Sequence, residues 1–171
     1  MASVDYGIIV RSEGDRVWVK PRCPYCGSHT ILRSADGIYQ NNSKGVMLYV
    51  CKNYPACDSY VRAHSGTNIP MGIPANWKLR KLRNDAHHYF NQLYQRGYMT
   101  KQDAYCWLAD ILCVPYSEAH IGYLGEYYCQ KVIEESQKVL AKHKDARKGK
   151  KQNHTKGGKQ YDADRQSAAR C

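Results

Sequence analysis

Residues 23–27 read CPYCG and residues 51–57 read CKNYPAC, so Cys23, Cys26, Cys51 and Cys57 fall in two short hooks. A C-x2-C pair followed by a C-x5-C pair, with strand-like sequence between them, is the spacing of a zinc ribbon. In a ribbon, four thiolates surround one Zn²⁺ tetrahedrally. A closed shell of four protein ligands leaves no position for substrate, so such a centre is structural and not catalytic. Disulfides or plain buried thiols are the alternatives. Gly27 permits the tight backbone in which amide hydrogens point at sulfur.

Outward from the hooks, the chain reads as α+β. Residues 4–20 are expected to form a β-hairpin, with YGIIV and RVWVK as strands and SEGD as the turn between them. Ribbon strands are expected at 30–33, 38–40, 46–51 and 60–63. SGTNIPMGIP, at 65–74, has the Gly and Pro content of a linker. Asn76 can cap a helix over 77–96, where Leu79, Leu82, Ala86, Phe90 and Leu93 fall at three- and four-residue steps and Gly97 stops it. Thr100 and Asp103 resemble a capping pair for a second helix, with Ala104, Trp107, Leu108, Ile111 and Leu112 inward and Pro115 beyond its end. A third helix is expected from Ser117, with Ile121, Leu124, Tyr128, Val132 and Val139 as its seam. The predicted organisation is a hairpin plus zinc ribbon over 1–64, a linker over 65–75, a three-helix layer over 76–140 and a disordered basic tail over 141–171.

Charge divides the chain unevenly. The net charge is +11, of which the stretch from Lys138 to Arg170 supplies +8, eleven basic side chains against three acidic. That tail, with Lys148, Lys150 and Lys151 at its densest point, would attract a polyanion; the plainer reading is a solubilising end. Fifteen Tyr and three Trp stand against a single Phe. This balance suits half-wet surfaces as well as cores, because tyrosine joins an apolar ring to a polar tip. No apolar run approaches the ~20 residues that span a bilayer. The first residues show no basic region followed by an apolar stretch, so no secretory signal is expected. Cysteine used for metal points to a reducing compartment, and a cytoplasmic location is the expectation.

CPYCG, Leu32–Arg33, Gly37 and CKNYPAC with its Asn-Tyr-Pro resemble the C-terminal zinc ribbons of bacterial type IA topoisomerases. That resemblance covers about 40 residues. It implies a ribbon that binds single-stranded DNA through basic and aromatic residues, without the catalytic body of those enzymes. A wider resemblance, over roughly 21–135, is to a zinc-finger-containing family of phages and Gram-positive bacteria. It rests on Pro70, Gly72, Ala75, Leu79–Arg80, Ala86–His87, Ala104–Tyr105, Trp107–Ala109 and His120–Gly122. It implies an architecture and a phage or mobile-element setting, hence the host cytoplasm, but no reaction. Asn91 stands where that family carries an acidic residue, which argues against a His/Asp site.

Candidate nucleic-acid contacts on the ribbon are Arg22, Tyr25, Arg33, Tyr39, Lys52, Tyr54 and Arg62. Bases stack on aromatic faces while Lys and Arg neutralise phosphates. The competing reading makes the tyrosines ribbon core and the charges a solvated edge. Lys78, Arg80, Lys81 and Arg83 form a second basic cluster on the first helix; the flank that Arg80 and Arg83 share with His87 and Tyr94 either meets phosphates or an acidic partner, or packs against the linker or ribbon. His64, His87 and His120 are left over, without the ligand spacing of a second metal site. Cys106, Cys113 and Cys129 are expected to fill helix interfaces, and Cys171 has no assigned role. No constellation for catalysis is present, so the chain is not expected to be an enzyme. The leading expectation is a zinc-ribbon protein that binds single-stranded DNA or RNA. The alternative is an interaction module that docks on host polymerase, replication or defence machinery.

Overall fold

The structure, a computed structural model, describes the backbone of residues 8–10, 16–18 and 20–154, with side chains from 20 to 143. Strands β1 (Ile8–Val10) and β2 (Arg16–Trp18) pair antiparallel, Ile8 opposite Trp18, as the hairpin pattern predicts. The ribbon is a three-stranded antiparallel sheet in the order β3 (Thr30–Ser34), β4 (Met47–Cys51), β5 (Tyr60–Arg62). Its core is small. Ala35, Leu48 and Val50 are buried, with Tyr39, Tyr54, Tyr60, Ile38 and Val46 packed over them. The strand expected at 38–40 is a turn: Ile38 and Tyr39 both donate their amides to the Ala35 carbonyl, at 3.0 and 2.8 Å, which curls the chain back.

The stretch expected to be a linker is built into the fold. Ala75 exchanges both backbone hydrogen bonds with Tyr60, and the Met71 amide donates to the Arg62 carbonyl at 2.8 Å. Pro74 and Ala75 are buried. Pro and Gly here impose a rigid extended path along the edge of β5, where composition alone suggests looseness. Gly72 is the tightest point. A Cβ there would lie 2.2 Å from the Gly122 carbonyl oxygen, and the Ile73 amide donates to that carbonyl at 3.2 Å.

Three helices follow. Helix α1 (Trp77–Gln95) begins where predicted, with the Asn76 side-chain oxygen accepting the Leu79 amide at 2.9 Å. Asn76→Ala is therefore expected to cost about 1 kcal/mol and Asn76→Gly only a few tenths. In thermal denaturation the alanine variant should melt about 2–4 °C lower. Helix α2 (Lys101–Leu112) starts at Thr100, whose hydroxyl accepts the Asp103 amide and donates to its carboxylate. The third helix does not begin at Ser117. Pro115, Gly122 and Gly125 interrupt the chain, and two single 3₁₀ turns (Tyr116–Glu118 and Ile121–Tyr123) precede α3 (Glu126–His154). Tyr128, expected in its seam, is exposed; Cys129, Val132, Ser136 and Leu140 are the buried positions.

Helices α1 and α3 run parallel. Lys78 pairs with Glu126 at their starts, and Tyr98, just past α1, stacks on His143 with ring centroids 4.3 Å apart. Phe90 and Leu93 are fully buried at the centre of this layer, each contributing roughly 1.5–3 kcal/mol by its transfer from water. Helix α3 continues to His154, beyond the boundary expected at 141. Apolar periodicity does end there, but Lys and Arg sustain a helix well once a packed segment has nucleated it. Residues 155–171 lie outside the described residues. Among the described residues, no helix is long and apolar enough to cross a membrane.

Candidate metal centre and adjoining cleft

The two hooks bring their cysteines together. The four Sγ atoms of Cys23, Cys26, Cys51 and Cys57 lie within 4.8 Å of one another. Cys23 and Cys57 are 3.5 Å apart at sulfur, and Cys26 and Cys51 are 3.4 Å apart. A disulfide needs about 2.05 Å, so these are four separate thiols. Four sulfurs at about 2.3 Å from one zinc ion stand about 3.8 Å from each other, a few tenths of an ångström from the observed spacing. The donor set and its size fit Zn²⁺.

Local backbone explains why this arrangement forms. The Gly27 amide donates to the Cys23 carbonyl at 2.9 Å, with Gly27 at φ +70°, which closes the first hook. In the second hook the Cys57 amide donates to the Asn53 carbonyl at 2.9 Å. The amides of Ser28, Asn53 and Ser59 reach Cys26, Cys51 and Cys57, each two residues beyond its sulfur. Such donors favour the thiolate. At Cys26, exposed in its hook, hydrogen bonds from the Ser28 side chain and amide lower the pKa to about 6. Cys51 is at the buried end of β4, where burial pushes its thiol up to about 12. Coordination requires all four as thiolates, so metal binding releases protons, that of Cys51 among them.

The basic and aromatic candidates divide by position. Arg33 on β3 and Arg62 on β5 are both exposed, and both register opposite Leu48 of the central strand. They share one face of the sheet about 10 Å apart. In the next row Ile31 and Tyr60 flank Val50. Leu48 and Val50 are themselves covered, so Tyr39, Tyr54 and Tyr60 are half-buried core with exposed edges, between the two readings offered by the sequence. Arg22 and Lys52 are exposed at the hooks. Tyr25 is exposed as well, and its hydroxyl accepts the Asn76 amide at 3.2 Å, tying the first hook to the start of α1.

On α1 the boundary reading prevails for two of the four cations. Arg80 lies over the Tyr60 ring, 3.6 Å from its centroid, and binds the Asp58 carboxylate at 3.1 Å. Arg83, a candidate phosphate contact on a flank that could equally pack, is buried, with 8 % of its surface exposed. Its Nε donates to the Leu124 carbonyl at 2.9 Å and its Nη1 to the Ile73 carbonyl at 2.7 Å. Lys78 is exposed but paired with Glu126, and Lys81 is exposed. Lys148, Lys150 and Lys151 fall on the distal part of α3, where only the backbone is described. Of the three helical cysteines, only Cys129 fills an interface; Cys106 and Cys113 are exposed.

Sequence reasoning missed a cleft of about 730 Å³ between ribbon and helices. It is walled by β5, by the segment around Met71, by α1, and by the turn from His120 to Tyr123. The three unassigned histidines, His64, His87 and His120, all line it, and no Asp or Glu does. Desolvation where it lines the cleft, and then the Arg83 guanidinium, hold the His87 pKa below its usual value, although the residue as a whole is exposed. No spacing in the chain announces this grouping, because the residues that line the cleft come from six separate segments. The four cysteines remain the one cluster able to hold a metal among the described residues.

A four-cysteine ribbon carrying a packed helical layer defines a structural zinc protein. A family model described as a zinc-finger-containing domain, DUF3268, matches residues 19–139, and the chain belongs to that family. The match begins just before the first hook and ends in α3, so it takes in ribbon, extended segment and helices together. No curated protein and no solved structure matches the chain.

Proposed function

We propose that this is a zinc-stabilised protein that binds single-stranded nucleic acid without strong sequence preference. One observation carries the reading: Arg33 and Arg62 flank Leu48 on an aromatic-covered sheet face, and Arg62 lines the adjoining cleft together with Tyr39 and Tyr60. Cations on one face can follow a phosphate backbone, and exposed ring surface suits unstacked bases. The basic end of α3 adds attraction that is indifferent to sequence. In the phage or mobile-element setting implied by the resemblance, the protein would work in the host cytoplasm.

Binding to a fluorescent oligothymidylate should weaken steeply with salt, since each neutralised phosphate of a single strand contributes about −0.7 to the log–log slope. Arg33→Ala should flatten that slope by about 0.7, and Gln at Lys148, Lys150 and Lys151 together by about 2. Salt-insensitive binding, or no binding to DNA or RNA, would end the proposal. The second reading, a module that docks on host machinery, is favoured by Trp77 and Tyr127. They are 65 % and 69 % exposed near the paired starts of α1 and α3, and exposed aromatics of this kind anchor interfaces. A stoichiometric protein partner that survives nuclease treatment and is lost with Trp77→Ala would select it.

A further inference from the structure

Arg83 carries a charge that no carboxylate among the described residues neutralises. It is more than nine-tenths buried, yet among the described residues no carboxylate lies within ion-pair distance of it. Its neighbour Arg80, one turn away on the same helix, has Asp58. The acidic groups whose charge would act on Arg83 are the Cys129 thiol and the Tyr25 hydroxyl; burial pushes the thiol up to about 11, so it stays neutral at pH 7. Two carbonyls occupy Nε and Nη1, while Nη2 makes no hydrogen bond among the described residues. Buried charges in folded proteins are paired or bound to a ligand, because removing an ion from water costs several kcal/mol.

The unpaired guanidinium lines the cleft, and the cleft explains the missing partner. Arg62 and His87 line the same space, which contains no carboxylate of its own. A volume of about 730 Å³ falls in the range of small-ligand sites. Tyr105 and Tyr123 on the helical side, and Tyr39 and Tyr60 on the ribbon side, offer ring surface around the cations. Cations and aromatic rings lining one space match a ligand that joins an anion to a flat ring.

We propose that this cleft is a nucleotide site, with the phosphate against Arg83 Nη2 and His87, Arg62 at the rim, and the base among the tyrosines. The choice of a nucleotide over other aromatic anions rests on the nucleic-acid reading above. The anion itself rests on Arg83. The nucleotide can come free in solution or as one unit of a strand, and the chemistry of recognition is the same.

The test uses the intact zinc-loaded chain and four probes: thymidine, thymidine 5′-monophosphate, inorganic phosphate and a short oligothymidylate. Calorimetry should show the monophosphate binding at least about tenfold tighter than thymidine, the worth of one charge-assisted hydrogen bond. The His87 ring resonances should shift with the monophosphate and not with thymidine. His87→Ala removes no hydrogen bond of the fold, so it should keep the melting temperature while weakening the monophosphate about tenfold. Arg83→Met should abolish binding, with a lower melting temperature from its two orphaned carbonyls; the His87 variant and the wild-type titration guard against reading misfolding as lost recognition.

If the oligothymidylate displaces the monophosphate, the site takes a nucleotide of the strand. If it does not, the site serves free nucleotides, and the proposal still stands. It is overturned if neither phosphate nor monophosphate perturbs His87 in the wild type, or if thymidine binds as well as its phosphate. Oligothymidylate binding that responds to Arg33→Ala but not to His87→Ala, without monophosphate binding, would leave the ribbon reading intact and remove the cleft alone.

Discussion

Stripping the metal is expected to unfold the ribbon while leaving much of the helical signal in place. The reason is the poverty of the ribbon's own core, a cluster of Ala35, Leu48 and Val50 with Tyr49 and Ala63 buried beside it. So few residues cannot offset the ordering of some forty others. Structural zinc contributes on the order of 10–16 kcal/mol in small peptides, which is the missing term. Cys51→Ser should be the most damaging single replacement. Cys51 ends the central strand, sits opposite Thr30, and donates its amide to the Ser59 carbonyl at 2.9 Å. Cys26→Ser, at the exposed hook, should retain weak three-sulfur binding. Elemental analysis of wild-type protein purified under reducing conditions should give one zinc per chain. Far-UV circular dichroism after chelation should show loss of strand with helix largely kept. Melting left unchanged by Cys51→Ser would contradict the whole account of this half.

Gly72→Ala should be nearly as disruptive, although an alanine adds one carbon and no charge. Gly72 sits at φ +154°, which side chains rarely adopt, and the added carbon would meet a backbone carbonyl with no rotamer to move aside. The clash must part the extended segment from the turn that holds Gly122. That movement takes with it the Ile73 amide bond and displaces the two carbonyls, Ile73 and Leu124, that hold buried Arg83. A loss of about 3 kcal/mol or more is expected, on the order of 10 °C in melting temperature. Gly66→Ala is the matched control, since its positive φ of +72° opens on empty space. It should cost only the ~1–2 kcal/mol of the left-handed conformation. Zinc content should be unchanged in both variants. Equal melting of the two would show that the Gly72–Gly122 contact is dispensable.

The parts of this fold that were legible in advance share one property: their signals are local. Ligand spacing announces the two hooks because only a few residues of backbone separate sulfur from sulfur. Asn76 and Thr100 announce helix starts because a cap reaches three residues and no further. The inward stripe of α1 follows from a repeat of 3.6, and Leu79, Ala86, Phe90 and Leu93 are indeed buried. Errors arose where local signals were ambiguous. Gly and Pro at 65–74 mark either a loose link or a rigid edge, and only the hydrogen bonds to Tyr60, Arg62 and Gly122 distinguish them. Ser117 is a fair helix start by composition, but Pro115 and the glycines at 122 and 125 break the run into single turns first.

Arg83 is the sharpest case. On a helical projection it lies beside the apolar stripe like any boundary arginine. Nothing nearby in the chain says that its partners are carbonyls ten and forty-one residues distant. The same holds for the cleft histidines, which share no spacing and meet because α1, the turn before α3 and the edge of β5 converge. Metal hooks, caps and amphipathic faces could be read along the chain because each is settled by neighbours within a turn or a strand. The unpaired guanidinium, the Gly72–Gly122 contact and the anion-ready cleft could not, because each depends on how close remote segments come, and that distance exists only once the layers have packed.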